Sequence, residues 1–351
     1  MSDSTVQNKT LIFKKIPTAA PVPGEHLVVE SRPFDTTPPP GGVTFAIISA
    51  SYDPYLRGKM RESSAKSYSP AFPLDGPISN ATIARVLKSD SPDFKEGELV
   101  YALLPLAEYA SLTKDELKSA RKIANPYNLE LGLFLGPLGM PGLTGWSSLY
   151  EIGKPKKGET IFISSAAGAV GQVVGQVAKR EGLRVIGSVG SDDKLDFVLK
   201  DLEFDGAFNY KKEKASDALK RLAPDGIDIY YENVGGDQLE AAIDALNDFG
   251  RIVACGMISQ YNLPADQRTG PKNIFQVVSK RLDFRGFIVS DPGFGAKYAQ
   301  DHQEKLQKWL SDGSVKAKLS ITDGIDNAAE GLVGLFEGKN FGKAVLKIRD
   351  E

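Results

Sequence analysis

Apolar and polar positions follow two different rhythms along this chain. Through the first 130 or so residues, short β-favouring runs are broken by proline and glycine at close intervals: LIFKKI, EHLVVESRPF, VTFAIISASYD, ATIARVLKS and ELVYALL. That spacing predicts an all-β unit, a small barrel or curled sheet. The stretch Phe94-Lys-Glu-Gly-Glu-Leu-Val100 reads as a turn launching a strand. From about Leu131 the rhythm becomes strand, helix, strand. Ile161–Ile163 is a strand, and Val170, Val173, Val174, Val177 and Ala178 share one face of the helix after it. Strands at Arg184–Val189, Ala207–Tyr210, Ile227–Tyr231, Arg251–Cys255 and Phe284–Val289 follow. They alternate with helices at Asp192–Lys200, Ser216–Leu222, Leu239–Leu246 and around Tyr298–Leu310. A repeated β-α unit predicts an α/β fold, a doubly wound parallel sheet.

The last 40 residues (Val315–Ile348) return to a strand-helix-strand pattern ending in KAVLKI, in the style of the first unit. The first domain is therefore expected to be discontinuous, 1–131 with 312–351, and the parallel-sheet domain to be 132–311 inserted into it.

Between the strand Ile161–Ile163 and its helix lies Ser-Ser-Ala-Ala-Gly-Ala-Val-Gly, in which Ala166, Gly168 and Gly171 fall on the one-three-six spacing of a dinucleotide-binding turn. Small residues there allow a tight turn, a close backbone approach to a pyrophosphate and hard packing of helix on strand. The helix's first N–H groups and dipole then favour the phosphate charge.

Composition narrows the class further. Hydrophobic residues make up 41% and charged residues 25% of 351, with Lys+Arg 43 against Asp+Glu 45. Nothing in this balance suggests nucleic-acid or membrane affinity. One cysteine, Cys255, excludes an internal disulfide and fits a reducing compartment. The polar start MSDSTVQNKT has no signal-peptide core, and no apolar run nears the roughly 20 residues of a membrane helix. A cytoplasmic protein is expected.

Several strings occur in a fixed order: Asp53-Pro-Tyr55-Leu-Arg57, Gly139-Met-Pro-Gly-Leu-Thr144, Ala166-Ala-Gly-Ala-Val-Gly171, Gly190-Ser-Asp-Asp-Lys194, Tyr231-Glu-Asn-Val-Gly-Gly236, Cys255-Gly-Met-Ile-Ser-Gln-Tyr261 and Gly338-Lys-Asn-Phe-Gly-Lys343. Together they span most of the chain. The set resembles the zinc-independent leukotriene B4 dehydrogenase/prostaglandin reductase/alkenal double-bond reductase branch of the medium-chain dehydrogenase/reductase superfamily. The resemblance implies a GroES-like barrel and a Rossmann domain, a homodimer, and NADPH bound between the domains. It implies cofactor contacts from Pro141, Thr144, Ala166, Ala167, Gly168, Ala169, Val170 and Gly171. It implies others from Asn233, Cys255, Gly256, Ile258, Ser259, Tyr261, Phe287, Ile288, Val289 and Asn340.

Metal chemistry has no ligand set. A structural zinc site needs about four thiolates and a catalytic one a Cys/His set. This chain offers Cys255, expected to be a buried strand-end residue, with His26 and His302, both expected at the surface. Cofactor type is more open. Asp192 and Asp193 lie about 20 residues past Gly171, where an acid would bind the ribose of NAD. They would also serve at a helix start. Lys194 follows at once, and the resemblance gives it the 2′-phosphate of NADPH, with Tyr210 as partner.

Reducing a C=C bond conjugated to a carbonyl sends hydride to the β-carbon, leaves charge on the carbonyl oxygen and requires a proton at the α-carbon. A hydrogen-bond donor and a proton source are needed, and a tyrosine supplies either without metal. Tyr261 matches the tyrosine that the family implicates. Tyr55 and Met140 are expected to wall the small-molecule pocket, and Tyr52 to narrow it, while Arg57 is expected to make a structural ion pair. The expected activity is NADPH-dependent reduction of α,β-unsaturated aldehydes and ketones. An NADPH-dependent quinone reductase and a low-turnover NADPH-binding regulatory module are the alternatives.

Overall fold

The computed structural model describes residues 4–350. The chain divides into two compact units, one running to Leu135 and resuming at Leu319, the other spanning Gly136–Lys318. These breaks fall a few residues beyond 131 and 311. The single helical turn Leu131–Leu135 buries Leu131, Phe134 and Leu135 and packs on strands of the first unit. At the other end, the main chain of Lys316 and Lys318 is bound by the side chains of Gln176 and Gln172 in the second unit.

The first unit is built on two sheets. Seven strands form the larger, in the order Leu319–Asp323, Lys343–Lys347, Val43–Ser51, Ser79–Ser89, Leu99–Pro105 and Arg121–Lys122, with Tyr109–Leu112 also paired to Val43–Ser51. The smaller sheet joins Leu27–Asp35, Thr5–Phe13 and Gly76–Pro77. Every residue of Val43–Ser51 is buried, as befits a strand covered on both faces. The C-terminal strand pairs antiparallel to it, Val345 opposite Ser51 and Leu346 opposite Ala50. That pairing returns the end of the chain to the fold of its beginning.

A buried ion pair ties these strands together. Lys343 Nζ, on a side chain 1% exposed, donates to Asp53 Oδ1 at 2.8 Å and to the carbonyl of Tyr52 at 2.6 Å. Asp53 Oδ2 accepts from Ser51 Oγ and, at 2.9 Å, from Asn80 Nδ2. Burial pulls the Lys343 ammonium down from its ordinary pKa, while Asp53 pulls it back up.

Two expectations for this unit need correcting. Tyr52 does not narrow a pocket: it is 1% exposed in the core, and its hydroxyl donates to the carbonyl of Ala328 at 2.9 Å. His26 is buried rather than at the surface, its Nδ1 accepting from Val22 N. Arg57 is buried too, and it donates to the carbonyls of Pro17 and Ala19.

In the second unit six parallel strands are labelled β1 (Thr160–Ile163), β2 (Arg184–Val189), β3 (Gly206–Asn209), β4 (Ile227–Glu232), β5 (Leu246–Ala254) and β6 (Asp283–Gly286). Their spatial order is 3-2-1-4-5-6, that of the doubly wound dinucleotide fold. Strand β1 is buried from Ile161 to Ile163, and Phe162 stacks on Tyr230 of β4 at 5.0 Å and Phe208 of β3 at 5.8 Å. The helices after β1 and β4 run Gly171–Arg180 and Gly236–Ala245. Strand β6 stops at Gly286, short of the expected Val289. His302, expected in a polar surface helix, is 1% exposed, with Nε2 bonded at 2.8 Å to the carbonyl of Pro137. Among the described residues no helix is long and apolar enough to cross a membrane.

The buried pair gives a stability prediction. Lys343→Met strands the Asp53 carboxylate without its cation and should cost about 3–5 kcal/mol, read as a lower urea midpoint. Adding Asp53→Asn should recover much of that loss. Unchanged midpoints in both variants would contradict this account.

Candidate functional site

In a parallel sheet every strand ends at the same edge, and here all six carboxyl ends lead into expected site residues. Ser164 and the turn to Gly171 follow β1, and Gly190 to Lys194 follow β2. Tyr210 follows β3, Asn233 follows β4, Cys255 to Tyr261 follow β5, and Phe287 to Val289 follow β6. The sheet itself converges them, at the edge where open α/β sheets bind ligands.

The turn after β1 is as tight as its small residues imply. A Cβ on Gly171 would lie 2.4 Å from the carbonyl oxygen of Ser165 and 2.8 Å from Cα of Ala166. Ser165 holds a positive φ of 53° and Ala166 is fully buried. From Gly171 the helix rises, so Ala167, Gly168, Ala169 and Val170 form the approach to its N-terminus.

Past β2 and β3 the charges sort themselves. Lys194 is half-buried, and its ammonium is held below its ordinary pKa, first by desolvation and then by the neighbouring Lys211. Asp192 is engaged elsewhere: Oδ1 accepts from Asn209 Nδ2 at 3.0 Å and Oδ2 pairs with Lys212 Nζ. The exposed Tyr210 ring lies beside Gly190, its hydroxyl 3.0 Å from where a Cβ would stand.

Past β4 and β1 a buried polar network appears that the sequence reading did not single out. Glu232 ends β4, is fully buried, and accepts at Oε1 from Val234 N at 2.6 Å, Gly235 N at 2.9 Å and the Tyr230 hydroxyl at 2.9 Å. Burial pushes its carboxyl pKa up, and these bonds oppose that shift. Ser164 Oγ accepts from Asn233 N at 2.9 Å, and the carbonyl of Ser164 accepts from Asn233 Nδ2 at 2.7 Å. The signal in the sequence was an acid placed directly before the turn Asn-Val-Gly-Gly.

The loop after β5 rests on the one after β4. Ile258 N donates to the carbonyl of Asn233 and Ser259 N to that of Val234. Tyr261 turns back so that its hydroxyl oxygen accepts from Met257 N at 3.2 Å. Cys255 is half-buried as a residue but its thiol is enclosed against Tyr231, and burial pushes its pKa up to about 12. Beyond β6, Phe287 stacks on Phe294 at 5.1 Å, Ile288 N donates to Asp291, and Gly295 N donates to the carbonyl of Val289. In the helix Met140–Ser148, Pro141 and Thr144 are buried and Met140 is half-buried, with Thr144 Oγ1 3.2 Å from the Met140 sulfur.

Tyr55 and Asn340 belong to the first unit. The Tyr55 hydroxyl donates to Asn80 Oδ1 and burial drives its pKa far up; Asn340 Nδ2 donates to the carbonyl of Gly342. Among the described residues no group of three or more His, Cys, Asp or Glu could hold a metal ion.

An open 3-2-1-4-5-6 sheet with a small-residue turn after its first strand defines a dinucleotide-binding protein. Comparisons with known proteins specify which kind. Residues 169–308 match the family model described as zinc-binding dehydrogenase, and residues 9–120 match the N-terminal domain of oxidoreductase. An NADP-dependent oxidoreductase, RED1, of Cochliobolus heterostrophus is 50% identical over 98% of this chain and 98% of its own. A 2-alkenal reductase (NADP(+)-dependent) of Nicotiana tabacum is 40% identical over 99% of each. Among solved structures, CurA of Vibrio vulnificus in complex with NADPH superposes with a TM-score of 0.89 at 32% identity, covering 98% of this chain and 100% of that one. The chain belongs to the zinc-independent NADP-dependent oxidoreductases of the medium-chain dehydrogenase/reductase superfamily.

The enclosed thiol is directly testable. With its pKa pushed up to about 12, Cys255 should carry about three orders of magnitude less thiolate at pH 8 than an ordinary cysteine. A thiol reagent at that pH should label the folded protein far more slowly than the urea-unfolded one. Comparable rates would show the thiol to be accessible.

Proposed function

We propose that this protein reduces the C=C bond of α,β-unsaturated aldehydes and ketones with NADPH. The observation that carries the chemistry is the hydroxyl of Tyr261, held past the end of β5 by the Met257 N–H. Accepting that bond uses an oxygen lone pair and polarises O–H, which suits the group to donate to a carbonyl oxygen gaining charge. The relative described as a 2-alkenal reductase supports the substrate class.

NADPH, when bound, supplies the hydride. The chain's own groups fit it. Lys194, whose ammonium feels the charge of Lys211, is suited to the 2′-phosphate, and Tyr210 lies beside Gly190 on the same sheet edge. Asp192 is already engaged by Asn209 and Lys212, which supports NADPH over a nucleotide held at its ribose hydroxyls by this acid. The turn Ala166–Gly171 would take the pyrophosphate, and Asn233, the Cys255–Tyr261 loop, Phe287–Val289, Pro141, Thr144 and Asn340 would hold the remainder. Tyr55 and Met140 would wall the substrate.

A homodimer is supported by the open edge of the sheet at β6. Nearby, Phe249, Phe275 and Val278 are exposed by 66%, 68% and 80%, an apolar cluster that a second copy would cover. Light scattering should give twice the chain mass, and Val278→Glu should shift it toward the monomer. A monomeric wild-type protein would rule this assembly out.

The functional test follows oxidation of NADPH and NADH with trans-2-alkenals, enones and quinones, with products identified. Lys194→Ala should raise the NADPH KM roughly 10- to 100-fold, the loss of a charged hydrogen bond, and leave that of NADH nearly unchanged. Tyr261→Phe should lower kcat on an enal about 10²-fold where chemistry limits the rate. Reduction at the carbonyl, or turnover of quinones alone, would defeat the proposal.

A further inference from the structure

Glu232 is a buried acid to which the chemistry above gives no part, yet the loops past β4 and β5 both hang from it. Its carboxylate oxygen Oε1 fixes the amides of Val234 and Gly235. Its main-chain carbonyl accepts from both Cys255 N and Gly256 N at 3.0 Å. The turn it fixes is one that other residues could not make. Gly235 stands at φ 77° and Gly236 at 56°, and a Cβ on Gly235 would lie 3.0 Å from that of Met257. Ser164, immediately before the phosphate turn, shares the hub through its 3.3 Å approach to Oε1 and its bonds to Asn233. The second oxygen, Oε2, is buried without a hydrogen-bond partner. The carboxylate is therefore anchored through one oxygen only, by the loop that it shapes together with the hydroxyls of Tyr230 and Ser164.

We infer that Glu232 is a positioning residue for the dinucleotide: its carboxylate presets the loops Asn233–Gly236 and Cys255–Tyr261 before the nucleotide arrives. This rests on the functional reading above, because those loops carry the proposed cofactor contacts. Bonds from backbone amides to a carboxylate are charge-assisted and stronger than bonds to a neutral oxygen. A neutral isostere keeps the shape but loosens the anchor. It also places an amide N–H where Oε2 has no acceptor. The cost should fall on nucleotide binding, since a loop not held in its bound form must be ordered at that moment.

The test compares Glu232→Gln with Lys194→Ala by direct titration of NADPH and of NADH, alongside steady-state kinetics and thermal melting. Glu232→Gln should weaken both nucleotides by the same factor, about tenfold, because the loops serve the part the two share. Its loss should appear in the NADPH KM and not in kcat at saturating NADPH. Lys194→Ala should weaken NADPH alone. Ser164→Ala should reproduce the Glu232→Gln pattern at about threefold, and it carries the test if Glu232→Gln does not fold. A lowered melting temperature with unchanged Kd for both nucleotides would make Glu232 a merely structural residue and overturn the inference. So would a loss confined to NADPH. Absence of NADPH binding to the unmodified protein would overturn the functional reading itself, and this inference with it.

Discussion

The second unit depends on one close contact of backbone with backbone. Between Ser165 and Gly171 the chain doubles back so tightly that a single added carbon would sit 2.4 Å from a carbonyl oxygen. Only then can the helix Gly171–Arg180 start directly over the end of β1, the central strand of the sheet. A larger residue would push the helix outward and tilt its N–H groups away from the sheet edge. The buried face of that helix (Val173, Val174, Val177 and Ala178) would lose its packing in the same movement. Tight packing and the aim of the helix's first N–H groups are thus one constraint, which is why small side chains recur there.

Converging six loops at one edge creates a polar problem that the apolar pattern does not solve. Loop amides near the sheet core need partners, and each one left bare would cost about 1–3 kcal/mol. Glu232 and Ser164 meet this need from below the turn, inside the hydrophobic layer, where water does not compete. The first unit uses the same device differently. Its Lys343–Asp53 pair satisfies the carbonyl of Tyr52 and the amide of Asn80, holding strands remote in sequence to one another.

How much of this was legible in the sequence depended on periodicity. The β-α alternation, the discontinuous first domain and the tight small-residue turn after β1 were readable because apolar spacing and glycine placement encode them directly. The candidate residues past the strand ends were readable for the same reason, since a parallel sheet brings every strand end to one edge. Single polar residues were not. His302 lies in the polar-looking run Gln300-Asp-His-Gln-Glu304 yet is fully buried, because its Nε2 reaches the carbonyl of Pro137, 165 residues away in sequence. Tyr52 adjoins an apparent site motif but faces the core, since its hydroxyl finds the carbonyl of Ala328. Glu232 and Lys211 gained their meaning only from neighbours on other strands. Residues whose role lies in one long-range hydrogen bond leave no local pattern to read.

Hydroxyl polarity separates two of the candidate tyrosines, Tyr55 and Tyr261. A phenol has one proton, and what its neighbours demand decides where that proton points. Asn80 cannot be turned around: its Nδ2 donates to the carbonyl of Ser51 and to Asp53 Oδ2, and a reversed amide would set an oxygen against both. Its Oδ1 must therefore face Tyr55 and take that hydroxyl's proton. The anion behind it, Asp53, is fixed in turn by the buried Lys343. Tyr55 could give a proton to a substrate only by breaking this chain of bonds, and it is better suited to present a lone pair. Tyr261 has the opposite arrangement, since a backbone N–H donates into its oxygen and O–H gains acidity from that bond. Two tyrosines in proposed contact with substrate thus differ in chemistry through a group that each hydroxyl meets, a side-chain carbonyl for Tyr55 and an amide N–H for Tyr261.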